Sequence, residues 1–223
     1  MSNLRFAVLG TGFWSLYQIP AWLEVGGVEL VAVYNRTVAK AEKVAARFDV
    51  PRVYGDPEEL FRNERLDFVD IITEVPIHAP LVLMAAKYKV PVICQKPMAP
   101  DYATASAMVE ACARAGVPFF VHENYRWQAP IRELKRVLDE GHIGRVFRGR
   151  FQFLHALEPF VWQNQPLLKT LEKLIIADQG SHQLDLARFF LGEARSLYCQ
   201  HLRIRDDIVS EDVASITLQM NNA

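Results

Sequence analysis

The sequence predicts an α/β protein: a doubly wound parallel sheet of the Rossmann kind over residues 1–123, followed by an α+β domain over residues 124–223. Apolar runs of strand length recur at residues 6–9, 28–33, 68–72, 92–94 and 119–121, and stretches of 3.6-residue apolar periodicity lie between them. Strands that alternate with helices in this way make a parallel sheet covered on both faces, because every parallel connection needs a crossover. Beyond Val121 the alternation stops and fewer, longer elements follow, which sets the second part apart.

The first run leads directly into Gly10, Thr11, Gly12, Phe13, Trp14 and Ser15, the place where a GxGxxG turn must sit to hold a pyrophosphate. Gly10 permits the tight turn, Gly12 lets backbone N–H groups approach the phosphates, and the positive end of the helix that begins here favours their charge. Ser15 replaces the third glycine and is small enough for helix to pack on strand. Two glycines in such a turn also serve as a plain chain reversal; their position after the first strand favours dinucleotide binding, with Phe13 and Trp14 on the binding turn. The second run ends in Tyr34, Asn35, Arg36 and Thr37, without the carboxylate that NAD-selective proteins set against the ribose hydroxyls. Arg36 could form charge-assisted bonds to a 2′-phosphate, with Asn35 and Thr37 as further donors, so the expected cofactor is NAD(P) with a lean to NADP. The competing reading has Thr37 capping a helix over residues 38–48 and Arg36 in solvent. Pro57 can start a short helix to about Phe61, and Asp101 can cap an Ala-rich helix that ends at Ala115 before Gly116.

In the second part the patterns predict a helix over residues 131–140, a turn at 141–144, a long strand at 146–154, an irregular Pro-containing segment at 158–166, a helix over 178–191, and strands at 195–203 and 213–220. The last residues follow directly on an alternating strand, so the second sheet is expected to be incomplete, with an exposed edge.

Lys and Arg number 25 against 26 Asp and Glu, with no long run of one sign. Nothing therefore supplies the field that nucleic acid or an anionic membrane requires, and a small, weakly charged ligand fits better. Cys94, Cys112 and Cys199 are isolated from one another and read as reduced core residues of a cytoplasmic protein. The opening apolar run is too brief for a signal peptide, and no run approaches a membrane span. Asp178, His182 and Asp185 could ligate zinc, but the cysteines are not placed to join them, so no metal is expected.

Gln95-Lys96-Pro97, directly after a strand, resembles the Glu-Lys-Pro motif of the glucose-fructose oxidoreductase, inositol dehydrogenase and rhizopine-catabolism (Gfo/Idh/MocA) family. The resemblance extends over nearly the whole chain. It includes the turn from Gly10 to Ser15, Thr73 followed by His78, the run Glu123-Asn124-Tyr125-Arg126-Trp127, and Asp178-Gln179-Gly180-Ser181-His182 with Asp185. It implies an NAD(P)-dependent dehydrogenase or reductase acting on a CH–OH group of a sugar or polyol, a homo-oligomer, and catalytic roles for Lys96 and His182 with Asp178 assisting. It further implies cofactor contacts at Thr73, His78, Gln95, Lys96 and Arg126. The stretch 124–128 is similar to bacterial aldose dehydrogenases.

The chemistry of these residue types agrees with that implication. Lys96 follows the carboxyl end of a parallel strand, where open α/β sheets bind ligands, and its ammonium can stabilise alkoxide character on the reacting oxygen. A histidine such as His182 suits proton transfer, while Asp178, four residues earlier on the same expected helix face, could orient it or bind a neighbouring substrate hydroxyl. Ordinary helix chemistry competes, with Asp178 complementing the dipole and His182 a satisfied polar residue. Trp127, His155 and Trp162 offer stacking surface and polar groups to a sugar, although Trp127 reads equally well as interface core. Two departures from the family pattern are Gln95 in place of glutamate and Glu74 where proline often stands. A dinucleotide-binding sensor without turnover is the alternative; the retention of Lys96, Asp178 and His182 argues against it.

Overall fold

The computed structural model describes residues 3–155 and 159–221 and divides into two compact units, Met1–His122 and Glu123–Ala223. In the first, β1 (Leu4–Leu9), β2 (Val28–Tyr34), β3 (Arg52–Tyr54), β4 (Phe68–Ile71), β5 (Val92–Cys94) and β6 (Phe119–Val121) form one sheet in the order β3-β2-β1-β4-β5-β6. Every pairing in it is parallel. Order reverses between β1 and β4, and the crevice outside the carboxyl ends of such neighbours is where doubly wound sheets bind ligands.

Strand alternation sorts the core onto two faces. Phe6 and Val8 pack with Ile19 of α1 (Ser15–Val25) and with Ala41 and Val44 of α2 (Val38–Phe48). Ala7 and Leu9 face Leu60 of α3 (Pro57–Asn63), Val82 of α4 (Val75–Lys87) and Met108 of α5 (Tyr102–Ala115). Each fully buried side chain of this size stabilises the fold by roughly 1.5–3 kcal/mol relative to exposure. Asp56 and Asp101 cap α3 and α5 through bonds from Glu58 N and Thr104 N, both 2.8 Å. Thr37 does not cap α2: its backbone N–H donates instead to Asn35 Oδ1 at 2.9 Å. β3 lay below recognition because its three residues, Arg52 exposed and Val53 and Tyr54 half-buried, leave no apolar run to read.

The second unit contains α6 (Ala129–Asp139), α7 (Pro159–Asn164), α8 (Gly180–Leu191) and an antiparallel pair, β7 (Ala194–Leu202) and β8 (Val213–Met220). Four expectations are corrected here. Residues 146–154 form no strand: among the described residues β7 and β8 take only each other as ladder partners, and alternation without a partner does not make a strand. The segment expected to be irregular carries α7 and a 3-10 turn, Pro166–Thr170, with Glu158 outside the described residues. The helix expected from Asp178 begins as a π turn, Ile175–Gln179, and becomes α-helical only at Gly180. Cys94 and Cys112 are buried, whereas Cys199 on β7 is only half-buried, so it is not a core residue. No helix among the described residues is long and apolar enough to cross a membrane.

Candidate active site

The glycine turn sits at the β1 end of the crevice. Gly10 adopts φ +109°, and a Cβ there would lie 2.4 Å from Ile72 O and 2.7 Å from Ile72 C. The backbone of the β4 exit therefore occupies the space a side chain would need, and only glycine lets β1 and β4 come this close. A Cβ at Gly12 would meet nothing within 4 Å, so the space over that residue is open. Ser15 is fully buried and its hydroxyl donates to Gly12 O at 2.6 Å, which holds the turn against the start of α1. The first turn of α1 carries no acidic side chain to neutralise its N–H groups. An open backbone beside an uncompensated helix start fits the pyrophosphate of a dinucleotide. Phe13 packs edge-on against Tyr17, and Trp14 stays 44% exposed beside the turn.

At the tip of β2, Asn35 ties this turn down: its Nδ2 donates to Thr11 Oγ1 at 2.8 Å while its Oδ1 holds Thr37 N. Asn35 is thus engaged with protein on both ends of its amide, whereas Arg36 and Thr37 are exposed. At the end of β4, Thr73 is half-buried and its carbonyl oxygen lies 3.0 Å from His78 Nε2. His78 itself is fully buried, with Nδ1 3.1 Å from Pro97 O and 3.3 Å from Met98 O. Burial and three backbone carbonyls let it tie the Thr73 loop to the loop after Lys96. Burial outweighs those carbonyls and lowers its pKa. Gln95, also expected at the cofactor, turns its Nε2 inward to Gln18 Oε1 at 2.8 Å and accepts from Lys96 N at 3.0 Å. Lys96 is half-buried at the β5 exit.

In the second unit a compact cluster forms around His182. Its Nδ1 lies 2.6 Å and 2.8 Å from the two carboxylate oxygens of Glu123, and its ring stacks on Tyr125 at 3.9 Å between centroids and 6° between planes. A carboxylate can only accept, so Nδ1 carries the hydrogen and Nε2 becomes the ring atom suited to exchange a proton with a ligand. Glu123, rather than Asp178, orients the imidazole. Asp178 sits in the π turn with its carboxylate receiving Gln179 Nε2 at 2.9 Å. Burial first, then the negative charges of Glu123 and Asp178, push the Tyr125 hydroxyl up, which places both carboxylates in one electrostatic group. The Arg126 guanidinium forks onto the Asp185 carboxylate, with Nε to Oδ2 at 2.7 Å and Nη2 to Oδ1, and lies over the Phe189 ring.

Glu123 and Tyr125 are the residues that sequence reasoning missed. They stood in a motif already singled out, but Glu123 meets His182 and Arg126 meets Asp185 across the same 59-residue separation, beyond any helical or strand period. Of the residues expected at a sugar, Trp127 is 65% exposed, and His155 is exposed against Phe153. Trp162 is half-buried on α7 with Lys169 and Arg205 over its ring. Among the described residues no group of three or more His, Cys, Asp or Glu is placed to hold a metal ion.

A family model described as oxidoreductase family, NAD-binding Rossmann fold, matches residues 4–123, and a Gfo/Idh/MocA C-terminal domain model matches residues 131–223. A protein of Rhizobium rhizogenes named D-apiose dehydrogenase is 44% identical over 222 residues, covering 100% of this chain and 64% of its own length. One of the same name from Paraburkholderia graminis is 42% identical over 218 residues, covering 98% of this chain and 58% of its own. A crystal structure of an oxidoreductase from Agrobacterium radiobacter in complex with NAD+, L-tartaric acid and magnesium superposes with a TM-score of 0.96 at 43% identity, over 99% of this chain and 64% of that one. The chain thus spans less than two thirds of the length of these relatives.

Proposed function

The chain belongs to the Gfo/Idh/MocA oxidoreductase family, and on that premise we propose that it moves a hydride between a hydroxyl or hemiacetal carbon of a sugar or polyol and NAD(P). A bound nicotinamide supplies the hydride acceptor in oxidation and the donor in reduction. Lys96 donates a hydrogen bond to the reacting oxygen and steadies its negative charge as the carbonyl forms. His182 takes the hydroxyl proton at Nε2, and Glu123 balances the imidazolium that results. Asp178, beside Tyr125, binds a neighbouring substrate hydroxyl and so fixes the carbon that reacts. Thr73 and the backbone from Gly10 to Trp14 hold the dinucleotide, and Arg36 favours NADP by meeting the 2′-phosphate.

The observation that carries this reading is the clamp on His182, two carboxylate contacts at 2.6 and 2.8 Å plus a stacked tyrosine, which commits one ring nitrogen and so selects the other. The relatives named D-apiose dehydrogenase put D-apiose first among substrates to try. The test is reduction of NAD and NADP, followed by absorbance, with D-apiose and a panel of sugars and polyols. Turnover is expected, and Lys96→Ala and His182→Ala should abolish it while dinucleotide affinity stays within about tenfold. Dinucleotide binding without turnover on any substrate would overturn the proposal and favour a sensor.

A further inference from the structure

We propose that buried Asp70 is a positioning residue for Lys96, acting through the side chains of Gln18 and Gln95; its importance to chemistry rests on the role given to Lys96 above. The groups are linked in series within the first unit. Lys96 N donates to Gln95 Oε1 at 3.0 Å, Gln95 Nε2 to Gln18 Oε1 at 2.8 Å, and Gln18 Nε2 to Asp70 Oδ2 at 2.6 Å. Gln18 Nε2 also lies 2.8 Å from His122 Nδ1, and Trp22 Nε1 donates to the same Asp70 oxygen at 2.6 Å. Gln18 and Asp70 are both buried, so no water stands ready to replace a lost partner.

Every bond in the series points toward Asp70, and its two ends fix that direction together, since Lys96 N can only donate and Asp70 Oδ2 accepts. The two ends of an amide side chain have nearly the same shape, so partners alone determine which end faces where. Trp22 can only donate, which makes Asp70 Oδ2 an acceptor. An accepting Oδ2 selects Nε2 of Gln18, leaving Gln18 Oε1 to face Gln95. That oxygen in turn selects Nε2 of Gln95, which leaves Gln95 Oε1 for the Lys96 amide. Oδ2 accepts whether or not the carboxyl is protonated, because the other oxygen, Oδ1, has no partner and can carry the proton that burial favours.

The series also explains why glutamine, not the glutamate of the family motif, stands at position 95. A carboxylate there would set an acceptor against Gln18 Oε1. Turning Gln18 over would then set its oxygen against Asp70 Oδ2, which already accepts from Trp22. Gln95 fits this buried framework, offering a donor to Gln18 and an acceptor to Lys96 N.

The experiment follows the Lys96 amide proton by NMR in the isotope-labelled 223-residue chain, with kcat and KM measured in parallel. Gln18→Met and Asp70→Leu are expected to move that proton upfield and speed its exchange by about tenfold or more, although neither residue touches Lys96. Asp70→Asn should retain the wild-type signal, since its amide oxygen can accept from both Gln18 and Trp22. Gln95→Glu should lower kcat by about tenfold while KM for the dinucleotide stays within about threefold. A Lys96 signal unchanged in both Gln18→Met and Asp70→Leu, or a Gln95→Glu rate at or above wild type, overturns the proposal. The amide signal needs no turnover, so the linkage is decided even in a chain that oxidises no sugar. A shifted amide with unaltered kcat in an active chain refutes the positioning role.

Discussion

Replacing Gly10 with alanine tests whether the turn is built by contact with β4 or merely by sequence habit. The added Cβ would stand 2.4 Å from Ile72 O, 2.7 Å from Ile72 C and 2.9 Å from Thr73 Cγ2, at a φ of +109°. Two of those three atoms are backbone and cannot swing aside. A non-glycine residue in such a sparsely populated region costs about 1–3 kcal/mol. Overpacking against a filled neighbour costs a further 1–3 kcal/mol or so. The sum, about 2–6 kcal/mol, is a large part of the stability of an ordinary domain. With a urea slope of about 2 kcal/mol per molar, the unfolding midpoint should fall by roughly 1–3 M. Urea titration followed by tryptophan fluorescence measures this, with Gly12→Ala as the paired control. Gly12→Ala meets no atom within 4 Å and should leave stability within about 0.5 kcal/mol, while weakening dinucleotide binding by closing the open space over the turn. A Gly10→Ala loss below about 1 kcal/mol would falsify the claim that Ile72 backbone forces glycine at this position.

Glu123→Gln preserves the shape of the partner to His182 but exchanges a charge-assisted bond for a neutral one, a difference of about 1–2 kcal/mol. The expected result is a fall in kcat of about 5- to 30-fold with dinucleotide affinity unchanged, and an unaltered kcat would remove Glu123 from the mechanism. Arg36→Ala should raise the KM for NADP far more than that for NAD, whereas equal changes would show that the exposed guanidinium does not meet the 2′-phosphate. His78 supplies a pH dependence. Its folded pKa lies below the ordinary 6.5 because burial opposes the charged ring, so between those two values the unfolded chain takes up a proton that the folded chain refuses. Stability should therefore fall as pH drops below about 6.5, by at most about 1.4 kcal/mol per pH unit from this group. Urea midpoints at pH 7 and 5.5 should differ more for wild type than for His78→Gln; equal differences would count against the assignment.

The first unit was legible because its information is local. Apolar runs, Pro57 and Asp101 at their helix starts, and Gly10 and Gly12 at a strand exit act on neighbours a few residues away, and five of the six strands could be read from them. The second unit yielded less. Residues 146–154 have the alternation of a strand, but a strand exists only where another supplies its hydrogen bonds, and sequence does not say whether one is there.

For the site, the sequence by itself determined the cast: glycines where a backbone must be approached, Lys96 at a strand exit, and an acid and an imidazole four residues apart. Only the tertiary structure decided the partnerships. It gave His182 to Glu123 and Tyr125, Arg126 to Asp185, and Gln95 to Gln18 and Asp70, while turning His78 inward onto backbone carbonyls. The physical reason is that a polar side chain removed from water must take whichever complementary group the fold brings within about 3 Å, and that group is chosen by how distant segments pack rather than by their spacing along the chain.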